Sequence, residues 1–442
     1  MNNILLQLEH GITAFSETIW PLFIPFMLVL GLYVSIKTIF TIQPALTKPS
    51  KLKFKNVIGP ASISLGAMVG TGAIVGVLGA VSKLYGAGQH NIEAIAIWAL
   101  IGGCIMVPVS YSETVNSKIM KKGPREYISD LINPKLGIFY AFAIVALMVF
   151  GFGGFQFSGI DSVFTIIASK FMNIELTLAQ RYLFIVIPVI ALVGLIVLSK
   201  KDDIFMNAMT YMIRTAVAGY LIFATLFVVK TSSYIPEYVS GMIQGVMNPV
   251  NAMVGIPLGL ILGMQKVLQT VETGLGCLAM SAQQSDSEPR EAGVISLIPS
   301  IMTLFIAIFI TSYIASYGIE AGTIDYSLGL NSLERLSTFF DTAASVTGVF
   351  GIIVLSLFTV LSALTTILGS YYYLRKLFKK NAANKNIAIY LGLIIAAGTL
   401  AIFGANVVFE AVDLLLLVCC AINVIALAVF ANKTSKQIKS KK

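Results

Sequence analysis

The chain has 442 residues, 57% hydrophobic and 12% charged, with a formal net charge of +9. A soluble globular domain carries about a quarter charged residues, so this composition excludes that class and implies a protein embedded in the lipid bilayer. The positive charge does not mark a nucleic-acid partner, because the Lys and Arg residues lie in loops between apolar runs and are not grouped with aromatics on a soluble face.

Residues 1–20 lack a basic leader and a clear cleavage site, so no removable signal peptide is expected. Crossing a hydrocarbon core takes about 20 residues of helix. Apolar runs of that length predict spans near 20–43, 59–83, 92–112, 136–166, 180–199, 204–230, 254–282, 292–318, 346–374, 386–403 and 407–431. Cys104, Cys277, Cys419 and Cys420 all fall inside these spans, too deep for a disulfide framework or a metal-spacing motif. With eleven spans, one side of the membrane receives twenty-two Lys and Arg, including Lys48, Lys51, Lys53, Lys376, Lys379, Lys380, Lys441 and Lys442. The other side receives five, Lys83, Lys170, Arg181, Lys230 and Arg335, while Lys37, Arg214 and Lys266 lie inside spans and are set aside. The protein is expected in the plasma membrane, and this asymmetry predicts an external N-terminus and a cytoplasmic tail.

The second and seventh spans share a feature that the others lack. Val69-Gly70-Thr71-Gly72-Ala73-Ile74-Val75-Gly76 and Val271-Glu272-Thr273-Gly274-Leu275-Gly276 align as V-x-T-G. Each glycine costs a helix interior roughly 1 kcal/mol relative to alanine, so both spans are expected to break at mid-membrane. Broken spans expose backbone groups that lipid cannot satisfy and are tolerated where they line a cavity or hold a ligand. Close helix packing through small residues is the alternative use of such glycines. A dinucleotide loop is excluded, since no strand precedes Gly70. Two Gly-interrupted spans in corresponding halves point to the binding site of a secondary transporter. With the first span set aside, the broken spans head two groups of five. The expected organisation is an extra helix and basic loop (1–58), two five-helix repeats of inverted orientation (59–253 and 254–432) and a basic tail (433–442).

A broken span aims helix N-termini at an anion and leaves bare carbonyls for a cation or ammonium, which suits an amino acid zwitterion. Gly72 is expected to face the ligand, where a side chain would block it, in a left-handed backbone conformation. Glu272, ionisable at membrane depth, either bonds the freed N–H groups or contacts substrate or a proton. Lys266 is expected to snorkel or pair with a carboxylate. Gln156 can donate its amide to a carboxylate; Asp161, turned about 140° from it on the same helix, reads as structural or interfacial. Ser362, Thr365 and Thr366 share one helix face. Their hydroxyls are hard ligands suited to Na+, although bonding back to the preceding turn is the usual fate of Ser and Thr in membrane helices.

Gly70-Thr71-Gly72-Ala73-Ile74-Val75-Gly76-Val77 resembles the first-helix pattern G-T-G-N-I-x-G-V of the alanine or glycine:cation symporter family. Val271-Glu272-Thr273-Gly274-Leu275-Gly276-Cys277-Leu278 resembles its sixth-helix pattern N-E-A-G-L-G-S-A. Gln156 is similar to its third-helix glutamine, and Thr365-Thr366-Ile367-Leu368-Gly369-Ser370-Tyr371-Tyr372 to its eighth-helix pattern. The resemblance runs from about residue 31 to residue 423. It implies an all-α membrane protein with the leucine-transporter-like five-plus-five inverted repeat, one extra N-terminal helix and about eleven transmembrane helices. It further implies Na+-coupled import of a small neutral amino acid, with substrate against Thr71, Gly72, Ala73, Gln156, Thr273, Gly274 and Gly276. By the same resemblance Na+ takes the carbonyls of Gly66 and Val69 with Ser362, Thr365 and Thr366. The chain departs from the pattern at Ala73, where the family has Asn, and at Gln269-Thr270-Val271, where it tends to have Phe-Ser-Asn. A proton-coupled or uncoupled amino acid transporter of the same fold is the alternative. A membrane-embedded enzyme is remote: neither His10 nor His90 lies in a span with a second metal ligand, and no nucleophile–base pair is evident.

Overall fold

The computed structural model describes residues 2–47, 54–252, 255–283, 285–375, 383–401 and 405–440. Lys48, Lys51, Lys53, Lys376, Lys379, Lys380, Lys441 and Lys442, all part of the charge argument, lie outside the described residues, as do the edges of the seventh and tenth expected spans at 254 and 402–403.

The chain opens with α1 (Ala14–Leu46), followed by α2 (Phe54–Met68) and α3 (Val75–Gly86), whose axes meet at 67°. Next come α4 (Ala94–Met120), the short α5 (Pro124–Leu131), α6 (Pro134–Met172), α7 (Leu178–Leu198), α8 (Asp202–Lys230) and α9 (Ile235–Met247). The second half holds α10 (Leu258–Val271), α11 (Cys277–Ala282), α12 (Pro289–Glu320), α13 (Ser332–Thr347), α14 (Val349–Leu374), α15 (Ala383–Ala401) and α16 (Ala405–Ser440).

Among the described residues eight helices are long and apolar enough to cross a membrane, and the α2/α3 pair makes a ninth. The spans expected at 254–282 and 386–403 are shorter apolar helices. In the first case the cause is local: Glu272 takes a left-handed conformation with φ 52° and stops α10 after 14 residues. Three helices, α5, α9 and α13, lie outside the eleven expected spans. The start of α13 carries a readable signal, Asn331 followed by Glu334, in which each side chain bonds the other's backbone N–H.

The broken helices cross the halves. α2 packs on α12, and α10 packs on α4, while α4 and α12 also pack extensively on each other. α14 lies against α2, α6 and α8. Helices in lipid gain little from hydrophobic exclusion and associate through close backbone approach at small residues. Gly263 of α10 is such a point, since a Cβ there would stand 2.8 Å from the backbone nitrogen of Ala99 in α4.

Backbone cannot retreat as a flexible side chain can. Gly263→Ala is therefore expected to lose about 1–3 kcal/mol, the usual range for overpacking, read as a lower unfolding midpoint of the purified protein in detergent. An unchanged midpoint would show that α4 and α10 can part at no cost.

Candidate functional site at the two broken helices

At the first break the chain leaves α2 at Met68, runs extended through Gly70 (φ −118°, ψ −167°), and makes one 3-10 turn over Thr71–Ala73. The freed backbone groups are met by side chains from distant helices. Gln156 of α6, just beyond a π-helical stretch at Leu147–Gly153, accepts from the Thr71 backbone N–H at 2.7 Å and from the Thr71 hydroxyl at 3.0 Å. Thr311 of α12 donates to the Ala73 carbonyl at 2.8 Å. A Cβ on Gly70 would stand 2.6 Å from Gln156 Oε1 and 2.8 Å from Thr366 Oγ1, so only glycine lets α6 and α14 close on the break together.

Gly72 has a different environment. It is half-buried, and a Cβ there would meet only the Phe155 ring at 3.6 Å and Gln269 Nε2 at 3.9 Å. It is not among the positive-φ residues, which corrects the expectation of a left-handed conformation; the 3-10 turn supplies the bend instead. Gln269 of α10 also approaches Gly76, and its Oε1 accepts from Lys266 Nζ at 2.7 Å. Lys266 is buried and donates to the Gln269 amide, which corrects the expectation of a snorkelling side chain.

α14 meets the C-terminal end of α2 beside this break. Thr366 Oγ1 lies 3.5 Å from the Gly66 carbonyl, and a Cβ on Gly66 would stand 3.4 Å from Thr365 Cβ. Ser362 and Thr365 are fully buried and donate to the carbonyls of Thr359 (3.2 Å) and Ser362 (2.9 Å). A hydroxyl that donates backward still presents lone pairs forward, so back-bonding and cation ligation are compatible here. Val69 is fully buried at the end of the same helix. Carbonyl and hydroxyl oxygens are the donor set that a hard monovalent cation needs, and among the described residues no group of three His, Cys, Asp or Glu could hold a metal ion.

The second break is closed by the protein itself. Beyond Glu272, Gly274 (φ +73°) and Gly276 (φ +97°) carry the turn into α11. The Leu275 carbonyl accepts from Tyr140 of α6, and the Gly274 carbonyl accepts from Asn423 Nδ2 of α16 at 2.8 Å. Glu113 of α4, fully buried, accepts from the Ala279 backbone N–H at 3.0 Å and from Asn423 Nδ2 at 3.3 Å. Tyr127 of α5 donates to the other end of the Asn423 amide. The Thr273 hydroxyl donates to the Met106 carbonyl of α4 at 2.6 Å. Thus Thr71, Gly72, Ala73 and Gln156 gather at the first break, whereas Thr273, Gly274 and Gly276 face α4, α16 and the α5–α6 corner. Glu272 is buried beside the Tyr373 hydroxyl, and no hydrogen bond of ordinary geometry reaches its Oε2 among the described residues. Asp161 pairs with Arg181, the structural role expected of it.

The sequence profile of the sodium:alanine symporter family matches residues 5–441. The chain belongs to that family. No curated protein matches the sequence. Among solved structures, the symporter is similar to the substrate-bound outward-open state of a Na+-coupled sialic acid symporter, at 13% identity and a TM-score of 0.49, over 90% of this chain and 80% of that one. It is accordingly a transporter with no covalent chemistry to perform.

Two polar residues of the symporter's breaks escape a reading by sequence. Glu113 lies in a run of small polar residues that resembles the end of a span, and its partner Ala279 is 166 positions away. Gln269 departs from the family pattern, and only its approach to Gly72 and Gly76 reveals its position. Gln156→Ala is expected to leave the Thr71 N–H buried and unpaired at a cost of about 1–3 kcal/mol, seen as a lower unfolding midpoint together with weaker substrate binding. Gly72→Ala, by contrast, should keep wild-type stability, because its Cβ enters ordinary contact. Equal destabilisation by the two variants would contradict this division of roles.

Proposed function

We propose that the symporter imports a small neutral amino acid, alanine- or glycine-like, together with Na+ by alternating access across the plasma membrane. The observation that carries this reading is the meeting of the α14 hydroxyls with the carbonyl end of α2, next to a break capped by Gln156. Na+ would be held by the Gly66 and Val69 carbonyls with Ser362, Thr365 and Thr366. The amino acid would lie against Thr71, Gly72, Ala73 and Gln156, with Gln269 opposite, while Glu272, Thr273, Gly274 and Gly276 hold the second break that backs the site. The N-terminal end of α3 suits a carboxylate, by its dipole and free N–H groups. For coupling, Na+ must favour the substrate-bound arrangement over the others, since a ligand with equal affinity for every state shifts none of them. A cation that ties α2 to α14 does this if the two helices separate during the cycle.

In this reading residues 59–253 and 254–432 form inverted five-helix units, 1–58 add a helix and a basic loop, and the N-terminus lies outside with the tail 433–442 in the cytoplasm. The crossed packing of each broken helix on the other half supports the repeat, and the twenty-two to five distribution of basic residues supports the orientation.

Proteoliposomes should accumulate alanine under an imposed inward Na+ gradient and not under a choline or proton gradient; accumulation driven by protons alone would replace Na+ as the coupling ion. Thr366→Ala should raise the Na+ concentration for half-maximal uptake about tenfold, the equivalent of roughly 1.4 kcal/mol, with Thr365→Ala acting in the same direction. Unchanged Na+ dependence in both would return these threonines to helix back-bonding. Cysteines introduced at residues 3 and 438 should react with an impermeant reagent from opposite sides of the membrane, and labelling from one side would refute the orientation.

A further inference from the structure

Away from both breaks, a cavity of about 390 Å³ opens between the start of α4, the amphipathic α9 and the end of α12. Its walls include Glu93, Glu237, Glu320, His90, Gln244 and Ser316, and no Lys or Arg is among its described lining residues. Glu93 is the informative member. It is only 9% exposed; Ser316 donates to its Oε1, and its Oε2 is buried without a hydrogen-bond partner among the described residues. That oxygen lies over Gly241, another wall residue, where a Cβ would come within 2.8 Å of it. Burial pushes the Glu93 carboxyl above the usual carboxylate range, the Ser316 bond pulls it partly back, and the nearby Glu237 charge adds to the rise. A buried carboxylate in this state gains from a cation brought to its open oxygen.

A single metal ion does not match the arrangement, because no three carboxylates or histidines among the described residues converge closely enough to hold one. The acidic groups surround a volume instead, and that volume falls within the range of about 300–1,000 Å³ usual for small-molecule pockets. We propose that this cavity binds an aliphatic polyamine, with Glu93 anchoring one ammonium group inside and Glu237 and Glu320 pairing with others at the rim. α4 and α12, which the ligand would bridge, are the helices on which the two broken helices pack. Occupancy therefore bears on the arrangement of the bundle without touching the transport site.

The test is calorimetric titration of spermidine into the purified full chain in lipid nanodiscs, without Na+ or amino acid. Saturable binding is expected, weakened at least tenfold in Glu93→Gln and several-fold in Glu237→Gln. Gly241→Val, which fills the space under Glu93 without changing charge, should also lose it. Na+-driven alanine uptake by Glu93→Gln near the wild-type rate would show that the variant is folded; if that variant fails to insert, Glu237→Gln and Gly241→Val carry the same comparison. No saturable spermidine binding to the wild type, equal affinity across the variants, or saturable Ca2+ binding that spermidine does not displace would each overturn the proposal.

Discussion

Everything in this molecule follows from one constraint: a backbone N–H or C=O exposed by a broken helix inside a bilayer has no water to turn to. The chain breaks two helices and then recruits side chains from at least four others to meet the groups that are freed. Gln156 and Thr311 serve the first break; Tyr140, Asn423 and Glu113 serve the second. These are long-range bonds, from 85 to 238 positions apart at the first break alone. They explain why the helices on either side of the breaks lie in the middle of the bundle, with the remaining spans arranged around them.

The two breaks are resolved differently, and the difference has functional content. At the second, every turn of the loop meets a donor or an acceptor from protein, and a carboxylate stands at the start of α11. A helix end whose free N–H already bonds a protein carboxyl has little left to offer an incoming anion. At the first, Gly72 has open surroundings, and among the described residues no carboxylate bonds the start of α3. The second break is thus braced by protein on several sides, and the proposed transport site is placed at the first.

The breaks themselves were legible because glycine acts locally: its preference against helix needs no tertiary knowledge, and two copies of V-x-T-G expose the pattern. Gln156 and the Ser362, Thr365 and Thr366 face were legible because polar groups in a long apolar run are costly and need a reason. What a linear reading misses is partnership. Nothing near Glu113 indicates that its acceptor oxygens serve Ala279, and nothing near Lys266 indicates that an amide three positions on, buried with it, is its partner. The conformation at Gly72 is not legible for a related reason: composition identifies where a chain can bend, while the 3-10 turn at Thr71–Ala73 depends on what the neighbouring helices supply. Helices such as α5 and α9 are too short or too polar to register as spans.

The additional helix α1 alters the outer boundary of the bundle. It packs along α16 and α4, and Trp20, Ile24 and Met27 on its inner side are fully buried, while Val29 and Phe40 on the other side are 68% and 75% exposed. A flank of α16 that annular lipid would otherwise wet is thereby converted into a protein seam. Changes in bilayer thickness or acyl-chain composition would meet α1 before that flank, which makes the first helix a gasket between the bundle and its solvent.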